Sequence, residues 1–248
     1  MFADWPPVAG GAIPTILAGL ADQSLLVAIA DPSGTRYRAL ETIRQYGIDR
    51  LIDAGESFEA HSRLLRWCLE VAAALALPSV DDVGTWRAAF DQVADELRGA
   101  LGWAAANAEC RREAHRLAIM LAELSFARGM QGESQGRYEQ AARLAADDSA
   151  AAAALHCAAG AAESRHFGND ALRLRRAAAD AALRAGDRAA AAGDLARAAE
   201  LINRGPGMMA TRPAVGEGNA PPRMTGLSSS ATTIACSAGS SNVPSAGL

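Results

Sequence analysis

Between His61 and Arg204 the chain reads as one helix after another, with no stretch that alternates like a strand. The pattern breaks where turn-forming residues cluster, at Pro78 to Asp82, Gly129 to Gly136, Gly168-Asn169-Asp170 and Gly186-Asp187. Those breaks predict five to seven helices. Leu117, Met120, Leu121 and Leu124 form one apolar stripe, and Asp170 and Asp187 stand where N-caps of the next helices belong. Alanine supplies much of the apolar content, and because it buries little area per residue, such helices gain stability only by packing closely.

Residues 13 to 52 have a different texture. Ile13, Ile16, Leu17 and Leu20 repeat at helical spacing, with Pro14 tolerated in the first turn. Ser24 to Ile29 and Thr35 to Leu40 flank the turn-forming Asp31-Pro32-Ser33-Gly34, which predicts a β-hairpin. A second helix follows with Leu40, Ile43, Gly47 and Leu51 on one face and Gly55 as its stop. Helix, hairpin, helix is the back half of a winged helix. Further on, Ala150 to Gly168, Ala171 to Gly186 and Arg188 to Ile202 read as three helices joined by short turns. Such units bury their inner faces by stacking, which favours a tetratricopeptide-like α-solenoid over a plain helical bundle. Small residues and turn spacing fit that repeat; its large aromatic positions are not matched. The expected fold is therefore mainly α. A partial winged helix spans residues 1–56, helical repeats 57–204, and a disordered Gly, Pro, Ser and Ala-rich tail 205–248. The abrupt change at the tail is also what a shifted reading frame would produce.

Charge and cysteine usage narrow the function. Residues 1–60 carry 4 arginines against 8 acids, 61–204 carry 18 against 19, and 205–248 carry 2 against 1. No segment is basic, which argues against DNA binding by this chain alone. All 24 basic residues are arginine, a compositional bias toward a GC-rich genome rather than a mechanism. Cys68, Cys110, Cys157 and Cys236 are scattered singly and read as reduced thiols, and the adjacent His156 and Cys157 point apart on a helix, a poor start for a metal site. The chain shows neither a signal peptide nor an apolar span of about 18 residues, so the expected setting is cytoplasmic, with no membrane partner.

Three motifs look chemical. Gly132-Glu133-Ser134-Gln135-Gly136 matches G-x-S-x-G, but a helix precedes it and no sheet exists to present the serine, so it reads as a glycine-rich loop between helices. Gly205-Pro206-Gly207-Met208-Met209-Ala210 fits a dinucleotide pattern in letters alone, without the flanking strand and helix. A Walker A loop needs lysine, and the chain has none. His61, His115, His156 and His166 fall on expected helices without a carboxylate at triad spacing, and Trp67, Trp86 and Trp103 read as core anchors. These residues predict no catalytic group, no cofactor and no metal.

Leu20-Ala21-Asp22-Gln23-Ser24-Leu25-Leu26-Val27, followed by Arg36-Tyr37-Arg38-Ala39-Leu40-Glu41-Thr42-Ile43-Arg44-Gln45-Tyr46, resembles the large bacterial regulators of the STAND ATPase class. In that class a nucleotide-binding core is followed by a winged helix, helical repeats and often a LuxR-type helix-turn-helix. Asp95 to Ala104 is similar to the family's helix written DNLRAALxWA, and Phe126 to Gly129 with Arg137 to Ala142 resembles its next helix pair. The resemblance runs from about residue 13 to 204. Three departures stand out. Gly47 replaces the usual alanine; the His-Asp pair that touches ADP in related proteins is here Leu40 and Glu41; and the tail stands where further repeats and a DNA-binding domain would follow. By this resemblance the chain is expected to start inside the winged helix, after the point where family members carry the ATPase core.

The resemblance implies a non-catalytic interaction and regulatory module that contacts a protein partner or itself, without nucleotide. Arg44, Gln45, Tyr46, Trp103 and Arg128, within the matching segments, are the candidate contacts. The alternatives are a DNA-binding winged-helix regulator, which would need arginines on the helix from Ile13 to Leu20 and has none, and a truncated gene product without independent function.

Overall fold

The computed structural model of the chain describes residues 10–31, 34–75 and 83–203. The expected tail, the dinucleotide-like letters at 205–210 and Cys236 lie outside the described residues. Helices dominate, with one antiparallel hairpin near the start. In chain order these are α1 (Ile13–Asp22), β1 (Leu26–Asp31), β2 (Gly34–Ala39), α2 (Glu41–Asp53), α3 (Ser57–Ala74), α4 (Val83–Ala106), α5 (Arg111–Arg128), α6 (Gln131–Leu144), α7 (Asp148–Ser164), α8 (Gly168–Arg184) and α9 (Arg188–Asn203). Among the described residues no helix is long and apolar enough to cross a membrane.

The hairpin pairs Leu26 with Ala39 and runs in register to Asp31 opposite Gly34. Val27 and Ile29 therefore share a face with Arg38, while Leu26, Ala28 and Ala30 share the other with Ala39, Tyr37 and Thr35. α1 starts with Pro14 in its first turn, where a missing N–H costs nothing. Leu40, expected on the face of the second helix, instead lies in extended backbone at its N-cap, because the helix begins only at Glu41.

From α3 onward the chain builds a core. Leu65, Cys68, Phe90, Leu97, Leu101, Leu117 and Leu121 are its fully enclosed members across α3, α4 and α5. Toward α7 and α8 the filling changes to alanine: Ala158, Ala159 and Ala162 meet Ala171 and Leu174, and Ala152 meets Ala179, Ala182 and Ala191. Without side-chain bulk these helix axes approach closely, which offsets the small area each alanine buries. The stripe of Leu117, Leu121 and Leu124 is buried and Met120 half-buried, as its spacing implies. Trp86 is buried and its indole N–H donates to the Leu75 carbonyl at 3.1 Å; Trp67 and Trp103 pack against the same core.

The turns hold two agreements and three corrections. Gly129, at φ 90°, ends α5 in the left-handed conformation that glycine adopts freely, and Gly186, at φ 82°, ends α8 likewise. Asp187 caps α9, its carboxylate accepting the Ala190 N–H at 2.9 Å. The break expected over Gly129 to Gly136 is confined to two residues, since α6 starts at Gln131 and the G-x-S-x-G letters are helical, not a loop. Asp170 is not an N-cap: α8 already begins at Gly168, and the Asp170 side chain reaches Arg173 in its own helix. The cap that spacing missed is Asp147, which accepts the Ala150 N–H at 2.8 Å at the start of α7.

Candidate interaction surfaces

The stack from α4 to α9 is stitched by ion pairs at a near-constant sequence distance. Asp91 pairs with Arg128, Arg98 with Glu133, Glu139 with Arg173, Asp148 with Arg184 and Glu163 with Arg197, separations of 34 to 37 residues. Asp91–Arg128 and Asp148–Arg184 join sequence neighbours, while Arg98–Glu133, Glu139–Arg173 and Glu163–Arg197 join helices two places apart. Arg98 is half-buried, its guanidinium donating to both Glu133 oxygens at 2.7 and 2.8 Å. Those bonds raise the Arg98 pKa and hold the Glu133 carboxyl below the usual range.

Deepest of these contacts is a cluster where α7, α8 and α9 meet. Arg175, 6% exposed, donates to Asp194, 3% exposed, at 2.7 Å, and to Glu163 at 2.9 Å. Arg197 reaches the other Glu163 oxygen at 2.6 Å, and His156 Nδ1 lies 2.9 Å from Asp194. Burial alone would push both carboxyls up. The His156 and Arg175 contacts on Asp194, and the Arg197 and Arg175 bonds on Glu163, outweigh it and leave both pKa values below normal. His156 thus has the carboxylate partner that spacing did not reveal, because Asp194 is 38 residues away. His166, expected on a helix, sits instead in the turn before α8 with φ at 60°.

The chemistry-like residues are enclosed or occupied. The Ser134 hydroxyl is fully buried with no hydrogen-bond partner, as is Ser125 across the α5–α6 turn. A nucleophile must reach its substrate, and Ser134 reaches nothing. Burial pushes the Cys68 thiol up to about 12, which keeps it protonated and unreactive. Cys68 and Cys110 are free thiols. No group of three His, Cys, Asp or Glu side chains among the described residues is placed to hold a metal ion.

The five candidate contact residues do not form one site. Arg44 bonds Glu41 at 2.9 Å, Gln45 bonds Asp49 at 3.1 Å, and Tyr46, 62% exposed, has Arg50 beside its ring, so all three are satisfied within α2. Trp103 stacks on His61 with centroids 5.0 Å apart and meets the ring of Phe58 at 5.5 Å, joining α4 to α3. Arg128 is clamped on Asp91 by two bonds of 2.8 and 2.9 Å, roughly 18 Å along α4 from Trp103 at 1.5 Å per residue. Arg128 and Trp103 are thus connectors between helices of the stack, while Tyr46 faces solvent.

Composition could not reveal the larger surface, which lies in residues 10–56. None of the described side chains there is buried. Ile16, Val27, Ile29, Leu40, Tyr46 and Ile52 are 45 to 62% exposed, and Phe58 at the start of α3 extends the set. Leu17, Leu20, Leu26 and Ile43 are only half-covered. Exposed apolar residues in such number on neighbouring elements mark a region that another surface can cover.

Comparison with known proteins gives partial matches alone. No protein-family model matches the chain, and no solved structure does. Curated proteins from Mycobacterium bovis and from two strains of Mycobacterium tuberculosis, provisionally named HTH-type transcriptional regulators, are 37% identical over 109 residues. The matched stretch is 44% of this chain and 12% of each relative, so the chain is similar to a small part of much longer regulators.

Proposed function

We propose that this chain is a non-catalytic interaction module of a bacterial transcriptional regulator, the winged-helix and tetratricopeptide-like part of an ATPase-linked protein. The observation that carries the reading is the contrast between a well-packed helical stack and the unburied apolar side of residues 10–53 beside it. A stacked scaffold offers extended surface to a protein partner, and an uncovered apolar region needs one. The similarity to proteins named as transcriptional regulators supports the setting, and the enclosed Ser134 and Cys68 speak for contact rather than chemistry.

DNA binding is the second reading, favoured by the HTH designation of the relatives. The charge of this chain weighs against it. Arg44 and Arg50 are engaged by Glu41 and Asp53, and α1 carries no basic residue to neutralise phosphate. Comparing transcripts in a deletion strain with strains complemented by the wild-type chain or by Ile16→Asp tests the proposal. A transcript set restored by the wild type and not by Ile16→Asp is expected; no change on deletion overturns the regulatory reading. Purified chain should show neither saturable ATP binding at micromolar concentration nor retardation of DNA fragments.

A further inference from the structure

The hairpin is the one sheet among the described residues, and its two outer edges differ in chemistry. β2 reads Gly34-Thr35-Arg36-Tyr37-Arg38-Ala39, with two arginines along the edge. β1 reads Leu26-Val27-Ala28-Ile29-Ala30-Asp31, with no charge before its last residue and no glycine or proline. Folded proteins blunt free edges with charge, proline or a bulge, because the unpaired N–H and C=O groups otherwise template another strand. β2 is blunted and β1 is not. Val27 and Ile29 are 47 and 45% exposed, and Ala28 and Ala30 are also exposed.

We propose that the β1 edge is the docking site for a second copy of this chain. β1 of one copy adds antiparallel to β1 of the other, giving a four-stranded sheet. The proposal rests on the reading of residues 10–53 as the interaction region. What favours a second copy over another strand is that β1 is complementary to itself. In the register that sets Ala28 opposite Ala28 of the other copy, Val27 falls opposite Ile29 and Leu26 opposite Ala30, each pair made twice. The β-branched pairs share one face of the joined sheet, the arrangement that gives cross-strand pairs their stability. Asp31 then falls opposite Leu25, so no carboxylate meets its own copy. The arginines of the two β2 strands stay on the outer strands, about 14 Å apart at the usual strand spacing. Because residues 1–60 are acidic overall, the two copies repel at long range, and the association strengthens as salt screens that repulsion.

The test uses the full chain. Sedimentation equilibrium between 5 and 200 µM should show a reversible dimer, tightened by raising salt from 50 to 500 mM. Val27→Lys and Ile29→Lys, both at exposed positions, should weaken it at least tenfold, whereas Leu195→Asp on α9 should leave it unchanged. With Cys157 and Cys236 replaced by serine, Ala28→Cys should form a disulfide-linked dimer on mild oxidation and Thr35→Cys on β2 should not. Amide exchange of the wild type gives a measurement free of variants: β1 amides should slow between 5 and 200 µM while α2 amides do not. A monomer at 200 µM, a dimer indifferent to Val27→Lys, or equal cross-linking at positions 28 and 35 overturns the proposal. A monomer that still restores the transcripts sinks the dimer and spares the regulatory reading; a dimer without transcript effect does the reverse.

Discussion

Two regions of one chain, residues 10–53 and α3 to α9, use the same kinds of apolar residue and end in different physical states. In the first, the side chains of Ile16, Val27 and Ile29 stand nearly half exposed. In the second, Phe90, Leu97, Leu101, Leu117 and Leu121 are fully enclosed. The difference is the number of neighbours an element finds. A helix inside the stack packs on the helices before and after it, and α3 packs on α5 as well, so apolar faces there find cover. α1 packs on β1, the two strands on each other and α2 on α3, and elements with so few neighbours have too few layers to close a core. Hydrophobicity sets what is to be buried; topology sets whether it is.

The largest effect that would sharpen this contrast is loss of a core ring. Phe90→Ala should destabilise the stack by about 3 to 5 kcal/mol in urea unfolding followed by circular dichroism, while Ile16→Ala should change it by less than about 1 kcal/mol. Equal effects would mean that the two regions form one cooperative core.

Next in size is the ionic cluster. Asp194→Ala leaves Arg175 buried with only Glu163 opposite and should cost about 3 kcal/mol. Asp194 and Glu163 both have carboxyl pKa values lowered on folding, so their stabilisation is present above the unfolded value near pH 4 and disappears as pH falls through the folded values. The urea midpoint should therefore drop between pH 6 and pH 3 in the wild type, and drop less in Asp194→Asn. A wild-type midpoint that holds down to pH 3 would remove the cluster from the account of stability.

Glycine substitutions are smaller and opposite in sign. Gly47→Ala adds a methyl group into open space in the middle of α2 and should stabilise that helix by about 0.5 to 1 kcal/mol, read as slower amide exchange in α2. Gly129→Ala, at φ 90°, should lower the melting temperature of the stack instead. The smallest effect is at Ser134, whose buried hydroxyl has no partner. Ser134→Ala should be neutral or stabilise by up to about 1 kcal/mol in thermal unfolding, and a clear loss of stability would show that the hydroxyl has a bond in solution.

Much of the local structure was legible because its causes are local. Pro14 at a helix start, the pairing of β1 with β2, Gly129 and Gly186 as helix ends and Asp187 as a cap each act within a few residues of their own position. The errors fall where two local signals competed. At Gly132 to Gly136 glycine argued for a loop, but α6 passes through because Ser134 and Tyr138 pack inward, and Gly132 leaves room for the Arg165 guanidinium, 3.4 Å from where a Cβ would stand. Asp147 was missed as a cap since no glycine or proline stands nearby to mark the break between α6 and α7.

The sequence alone determined the element types and most of their ends, since helical periodicity, proline, glycine and capping side chains act through the backbone nearby. It also determined that the first region would be acidic and the rest balanced. Only the tertiary structure decided that His156 and Arg175 meet Asp194, that Trp103 and Arg128 join helices rather than face solvent, and that residues 10–53 stay uncovered. Those outcomes depend on which helix lies beside which, a matter of residues far apart in the chain, as with His156 and Asp194 at 38 positions, whose energies are realised only once the stack has closed.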